Sequence, residues 1–593
     1  MATLGRDTYR SKVYGCWLGK SIGGTLGGPH EGKAGPLELT FYDPVPTEPM
    51  FNDDLDLQLV WLHALEEHGL EVTPEEISQE WLDHITYPWC EYGFSNLNAK
   101  RGLIPPMTGA YDNWFGDCMG SPIRSEIWAC IAPGAPHLAC EYAWRDAVRD
   151  HWGEGVWGEM FFAAVESAAF VLDDKDALID LGLAAIPPWS KIAQAVDQAR
   201  DSYRRGYTWD QARRRALAEF GQQHMTNAPQ NFAFTVIGWL YGEDFGDALL
   251  KAVNCGCDTD CTGATLGAIL GLLYGEEGIP ADWREPIAEG IKVGWGIVNL
   301  DVPQELGELT ERTCAVGEQV AAHLSDVIRL TDGEGKTADL EALRRHAARA
   351  MFIWDRRPDE VWLTRDAGTR VWYMGGPTIT PGRPKRLAVV GASGVGVKAP
   401  EGWQVEVKRV DSVYELVVHG PEDMGPFASL EISAEGERKS VALVRRPEWQ
   451  VGKATTDDFG DQPPEPESWV PWHAEGYQMN FRTVLAGGEG TVVARTRLVV
   501  PEETEATLIL ATPHKVGAWL NGERVVYREE RLANDEPPYN IPPGSQAKVT
   551  LRAGDNDLTI ALHSLGGSCW VRAYLVDEAG HGLPEVIYAD PGQ

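Results

Sequence analysis

Two short runs in this chain hold more carboxylates than local structure requires. One is Asn52-Asp53-Asp54-Leu55-Asp56, and the other is Asp258-Thr259-Asp260-Cys261-Thr262. Each sits where a helix is expected to begin, and an aspartate there is ordinarily a cap or a partner of the helix dipole. A cap uses one carboxylate, so both runs leave a surplus. If the two helix starts converge, their acids repel strongly unless a cation stands between them. Ligands that are all oxygen suit Mg²⁺, Mn²⁺ or Ca²⁺ rather than zinc. The rival metal reading, a zinc or redox site on Cys255, Cys257 and Cys261, lacks both a fourth ligand and a zinc-like spacing.

Glycine supplies the means of convergence. Gly15, Gly19, Gly23 and Gly27 recur every fourth residue, as do Gly263, Gly267, Gly271 and Gly275. On a helix such a repeat is one stripe down one face. Four helical glycines cost roughly 3–4 kcal/mol against alanine, a cost that makes sense where another backbone packs very closely. Two striped helices are therefore expected to pack backbone to backbone and bring distant parts of the chain to one place. Leu55, Leu59, Leu62 and Leu65 share a face and predict the helix that follows Asn52.

Apolar residues at helical spacing predict helices over 11–27, 54–66, 74–84, 138–149, 159–172, 189–203, 209–220, 230–241, 245–253, 262–274 and 285–296. Two longer, more charged helices are expected over 305–350. Near residue 353 the period changes to short β-rich runs, including Val361–Thr364, Arg370–Met374, Arg386–Val390, Trp403–Lys408 and Tyr414–His419. Asp461–Glu467 is rich in proline and reads as a linker or a long surface loop. Further strands follow to about residue 576, with Asn521-Gly522 a hairpin signal. The expected architecture is multidomain: an all-α domain over 1–352, a β-rich domain over 353–466 and a β-sandwich over 467–593.

The 593-residue chain has a net charge of −36, which argues against nucleic acid or a lipid surface as partner. Its N-terminus lacks an apolar signal core, and no apolar run is long enough to span a bilayer. Ten scattered cysteines without a disulfide-framework spacing fit a reducing cytoplasm. The 23 tryptophans, many beside Pro or Gly, read either as sugar-binding surface or as core packing.

Three segments in order resemble the signature motifs of the ADP-ribosylglycohydrolase family, which includes the dinitrogenase-reductase-activating glycohydrolases. They are Gly19 to Glu31, Asn52 to Leu55 and Asp258 to Gly263. Residues 233–254, leading into the second acidic run, strengthen the match, which covers roughly residues 5–330. The segment around Ala518–Glu523 and Leu551–Leu558 resembles galactose-binding-like β-sandwich modules appended to glycosidases.

The resemblance implies a divalent-metal glycohydrolase with Mg²⁺, or Mn²⁺ or Ca²⁺, held by Asn52, Asp53 and Asp54 from one side and by Asp258, Asp260 and Cys261 from the other. Glu31 matches a functional glutamate and, with Asp258, is a catalytic candidate. Gly120, Ser121 and Arg124 are similar to a phosphate- and ribose-facing loop; the plainer reading pairs Arg124 with a neighbouring acid. Tyr111, Trp114 and Phe115 offer a stacking wall or ordinary packing, and His151 stands where the family often carries histidine. The chain departs from the pattern at Asn52, Leu55 and Cys261, where threonine is usual, and at Gly24, where aspartate is common. Thr262 is one residue out of register. One metal position is therefore expected, with the second in question.

The implied substrate is an ADP-ribosyl or related furanosyl group on a small molecule or a protein. Altered metal motifs, an acidic chain that repels pyrophosphate and the glycosidase-style module favour two alternatives. These are a metal-dependent glycosidase acting on a neutral glycoside, and a weakly catalytic ADP-ribose- or glycan-binding protein. The β-rich half is read as placing a polymeric or protein-linked substrate, or as a homo-oligomer and stability element.

Overall fold

The computed structural model describes residues 2–222, 224–364, 368–532 and 543–592. Two compact units emerge, one of residues 1–87 and 115–356, the other of residues 88–114 and 357–593. The first unit is helical. Its helix α1 (Arg6–Gly27) carries one glycine stripe, and the helix Thr259–Gly278 carries the other.

The stripes meet as expected. A Cβ built on Gly15 would lie 2.4 Å from the Gly271 carbonyl oxygen, one on Gly19 2.0 Å from that of Gly267, and one on Gly23 1.9 Å from that of Gly263. No residue other than glycine permits that approach. The pairing runs antiparallel, so the end of α1 lies against the start of the partner helix, where the Thr259 hydroxyl donates to the Gly27 carbonyl at 2.8 Å. Gly275 departs from the stripe: its φ of +70° breaks the helix there.

Helix α2 (Asp53–His68) begins at Asn52, and helix α3 (Pro74–His84) follows with a capping box between Thr73 and Glu76. Two expectations fail. Residues 285–296 form no helix, because they run as an irregular strap whose Gly294 N–H donates to the buried Asp56 carboxylate at 2.8 Å. After the helix Leu306–His323, the expected second long helix is replaced by strands. Ile328–Thr331 and Lys336–Thr337 flank Ala2–Gly5 in a small three-stranded sheet, and a shorter helix, Leu340–Ala348, follows.

Among the described residues, the second unit holds four β-sheets. A five-stranded and a four-stranded sheet between Glu360 and Arg445 share a core of Leu387, Val389, Leu416, Val418, Leu430, Ile432, Val441 and Leu443. Leu103 and Met107 enter that core, which is why residues 88–114 belong here rather than to the helical unit. A seven-stranded and a four-stranded sheet follow, from Glu448 to Ala589. Within the larger sheet, Glu448–Ala454 pairs with Val470–His473. The proline-rich segment thus connects two strands of one sheet, the long-loop reading, and is held by the Trp519 indole N–H to the Asp461 carbonyl at 3.0 Å. Asn521 and Gly522, both at positive φ, close the hairpin between Lys515–Leu520 and Glu523–Arg528.

Candidate metal centre

Packing of the glycine stripes sets the Asp258 helix beside the starts of two other segments. Asp54, Asp260 and Cys261 bring ligand atoms within 4.8 Å of one another, and Glu31, Asp258 and Asp260 form a second such group sharing Asp260. Acids more than two hundred residues apart in the chain thus occupy one small volume.

The capping alternative is decided residue by residue. Asn52 is a true cap, its side-chain oxygen accepting the Asp54 N–H at 2.8 Å. Gly24 makes room for it, since a Cβ there would meet the Asn52 amide nitrogen at 2.5 Å. The Asn52 carbonyl oxygen, expected as a ligand, is thus engaged in capping. Asp258 occupies the cap position of its helix without making a side-chain cap bond. Both oxygens of Asp258, both of Asp54 and Oδ1 of Asp260 are buried with no hydrogen-bond partner. Burial, followed for Asp258 by the charges of Asp260 and Glu31, pushes the carboxyl groups of Asp54, Asp258 and Asp260 above the usual range. Buried oxygens without donors are what a hard cation would satisfy, and the donor set fits one.

Glu31 stands on the loop after α1, its side chain open to solvent while its carboxylate faces Asp260. The charge of Asp260, then burial and Asp53, pushes it up to about 8. A short backbone ladder holds this loop: the Gly32 N–H donates to the Cys257 carbonyl at 2.9 Å, and the Cys257 N–H to the Lys33 carbonyl at 2.7 Å. The Cys261 thiol lies among the carboxylates, where burial and then Asp258 keep it protonated. Cys255 and Cys257 join no metal-ligand cluster among the described residues. The Thr262 hydroxyl turns back to the Thr259 carbonyl, 3.3 Å away.

Behind the carboxylates lies a buried polar layer that motif reading missed. Lys20 donates to Glu126 at 2.8 Å and to the Ile123 carbonyl at 3.0 Å, and lies 3.7 Å from Asp54. Gln58 bridges the Glu126 carboxylate and the Asp54 carbonyl, each at 2.8 Å. A lysine inside a glycine-striped helix was the available signal.

The expected phosphate loop is buried structure. Arg124 spends its donors on Asp146 and Asp150, each at 2.8 Å, and on the Gly120 carbonyl at 2.9 Å. Ser121 donates to Glu159, and His151 Nδ1 lies 3.0 Å from Asp150. None of Ser121, Arg124 and His151 is exposed, so the substrate-facing roles expected of them and of Gly120 are replaced by a buried ion network. Tyr111 and Trp114 fall in the other unit. There the Tyr111 hydroxyl donates to the Glu475 carbonyl at 2.9 Å, and Trp114 packs 4.4 Å from Phe94 and beneath Arg572. Phe115 remains in the helical unit, 4.9 Å from the ring of His224. Within that unit Tyr111 and Trp114 make packing contacts, the plainer of the two readings.

No curated protein matches the chain. Among solved structures, one described as an "ADP-ribosylglycohydrolase-related protein complex" is 19% identical, covers 53% of this chain and 99% of that one, and has a TM-score of 0.37. An "anti-sigma factor domain-containing protein" is 11% identical over 35% of this chain and 85% of its own, with a TM-score of 0.18. A β-glucosidase from Kluyveromyces marxianus in complex with glucose is 11% identical over 22% of this chain and 16% of its own, with a TM-score of 0.16. The family model for ADP-ribosylglycohydrolase matches residues 5–322, more than half of the sequence, so the chain belongs to the ADP-ribosylglycohydrolase family.

Proposed function

We infer that the protein is a divalent-metal-dependent glycohydrolase cleaving the glycosidic bond of an ADP-ribosyl or related furanosyl substrate. The observation that carries this reading is the meeting of Glu31, Asp54, Asp258 and Asp260 with five buried oxygens left without donors. Asp54, Asp258 and Asp260 would hold Mg²⁺ or Mn²⁺. When bound, such an ion supplies positive charge that orders sugar hydroxyls and a water. Glu31, the solvent-facing member of the group, takes the proton of the attacking water. The water oxygen bonds to the anomeric carbon, the bonding pair of the broken glycosidic bond stays on the acceptor, and Glu31 hands the acceptor the proton it took from the water. Lys20 and Gln58 position Asp54 from behind.

Turnover of ADP-ribosylated arginine peptide, and of a neutral arabinofuranoside, tests this. Activity on the first that needs Mg²⁺ or Mn²⁺, and falls by about 10²-fold or more in Asp258→Asn, supports the reading. Activity confined to the arabinofuranoside would favour the neutral glycosidase, a reading for which the net charge of −36 speaks. ADP-ribose binding without turnover of either would make it a binding protein.

A further inference from the structure

A second group of ligand atoms lies elsewhere in the helical unit, and its chemistry differs from that of the acidic cluster. His63 on α2, with Glu80 and His84 on α3, brings two imidazole nitrogens and one carboxylate oxygen within 4.8 Å of one another. Glu80 and His84 are four residues apart, which puts them on one helix face. The capping box at Thr73 sets where α3 begins, and so which of its faces is turned to His63.

Two of the three residues, His84 and Glu80, are held and directed by partners outside the group. His84 Nδ1 lies 3.0 Å from the Val298 carbonyl, which only accepts, so the ring proton is on Nδ1 and the Nε2 lone pair is free to bind. The Val298 N–H returns a bond to the His84 carbonyl at 2.9 Å and fixes the strap behind the ring. His68 Nε2 lies 2.8 Å from Glu80 Oε1 and anchors that oxygen. The other oxygen, Oε2, is buried and has no hydrogen-bond partner, in a residue only 8% exposed.

Distances separate a metal site from a proton-sharing cluster. Glu80 Oε2 lies 3.5 Å from His63 Nε2 and 3.4 Å from His84 Nε2. Both exceed the usual 2.7–3.2 Å of an N–H···O bond. They match the edge of about 3.3 Å between ligands of a tetrahedral ion with bonds near 2.0–2.1 Å. The two rings stand perpendicular, 5.2 Å apart, which keeps both nitrogens on the same oxygen without stacking.

We propose that His63, Glu80 and His84 form a binding site for a late first-row transition metal, Zn²⁺ foremost, with a solvent molecule in the fourth position and His68 as the orienting partner of the carboxylate. Imidazole with one carboxylate selects such ions, whereas the all-oxygen cluster at Asp258 selects hard ones. The ion would clip α3 to the middle of α2, the helix whose first turn supplies Asp54 to the acidic cluster.

Co²⁺ titration of the chelator-stripped full-length protein, followed by visible absorption, tests this directly. Tetrahedral Co²⁺ on imidazole absorbs strongly, while Co²⁺ in an oxygen-rich site of higher coordination absorbs weakly. The wild-type chain is expected to give one strong band that Zn²⁺ displaces. The band should be lost in His63→Ala and His84→Ala, kept in Asp258→Asn, and right-shifted along the Co²⁺ axis by about 10–100-fold in His68→Ala. A folded wild type without a strong band overturns the proposal whatever the variants do. So does a band that survives His84→Ala or disappears in Asp258→Asn. As a second readout, crystals soaked in Zn²⁺ should show anomalous density between His63, Glu80 and His84, and its absence would also overturn it.

Discussion

Lys20 Nζ lies 3.7 Å from Asp54 Oδ1 and 2.8 Å from Glu126 Oε1, with all three side chains almost wholly buried. Burial works against the lysine charge, yet Glu126 and Asp54 hold its pKa above the usual value. A fixed ammonium thus sits behind the acidic cluster and compensates part of its charge.

Removing that ammonium should leave buried acids unpaired. Lys20→Met is expected to cost about 3–5 kcal/mol, measured by denaturant unfolding. Adding Glu126→Gln should recover part of the loss, since it deletes the acid most dependent on the lysine. A Lys20→Met chain as stable as wild type would contradict the pairing.

The carboxylates should answer to divalent ions in the opposite sense. Mg²⁺ or Mn²⁺ at about a hundred times its Kd is expected to stabilise the wild type by roughly 2.7 kcal/mol, read as a rise in Tm. Asp258→Asn should unfold no earlier than wild type without metal, because it removes a buried charge lacking a donor. It should also lose most of the metal-dependent rise. An equal rise in both proteins would place the ion elsewhere.

Helix approach is testable with a single methyl group. Gly19→Ala and Gly267→Ala each drive a Cβ to 2.0 Å from a facing carbonyl oxygen and should destabilise by about 3 kcal/mol or more. Gly307→Ala meets nothing within 4 Å, in the first turn of a helix, and should be neutral or stabilising by about 0.5 kcal/mol. Thermal melts of the three variants give the comparison.

Acid sensitivity has a source outside the acidic cluster. The His137 N–H donates to His346 Nδ1 at 3.2 Å, and burial, then the neighbouring His137, pushes the His346 imidazole down from 6.5 to about 4. A depressed pKa contributes stability that is present above the unfolded value and lost as pH falls through the folded one. Stability should therefore fall between pH 6.5 and about 4, by up to roughly 3 kcal/mol from this group. His346→Gln, which keeps an acceptor without a titrating ring, should flatten that part of the pH–stability curve.

Much of this molecule is legible without coordinates because its strongest signals are local or periodic. Glycine at every fourth residue has few uses other than close helix approach, so the pairing of Arg6–Gly27 with Thr259–Gly278 follows from spacing, whereas the meeting of Asp54 with Asp260 also needed the placement of Asp53–His68, which carries no stripe. The Asn521-Gly522 hairpin follows from backbone freedom at those two residues. Tertiary structure alone decided which polar residues face a site. Arg124 has the chemistry to hold a phosphate but is enclosed by Asp146 and Asp150, and Trp114 packs against Phe94 although it lies in sequence beside the Gly120 loop. The spacing of Glu80 and His84 puts those two on one helix face, but their meeting with His63 depends on how two helices turn toward each other.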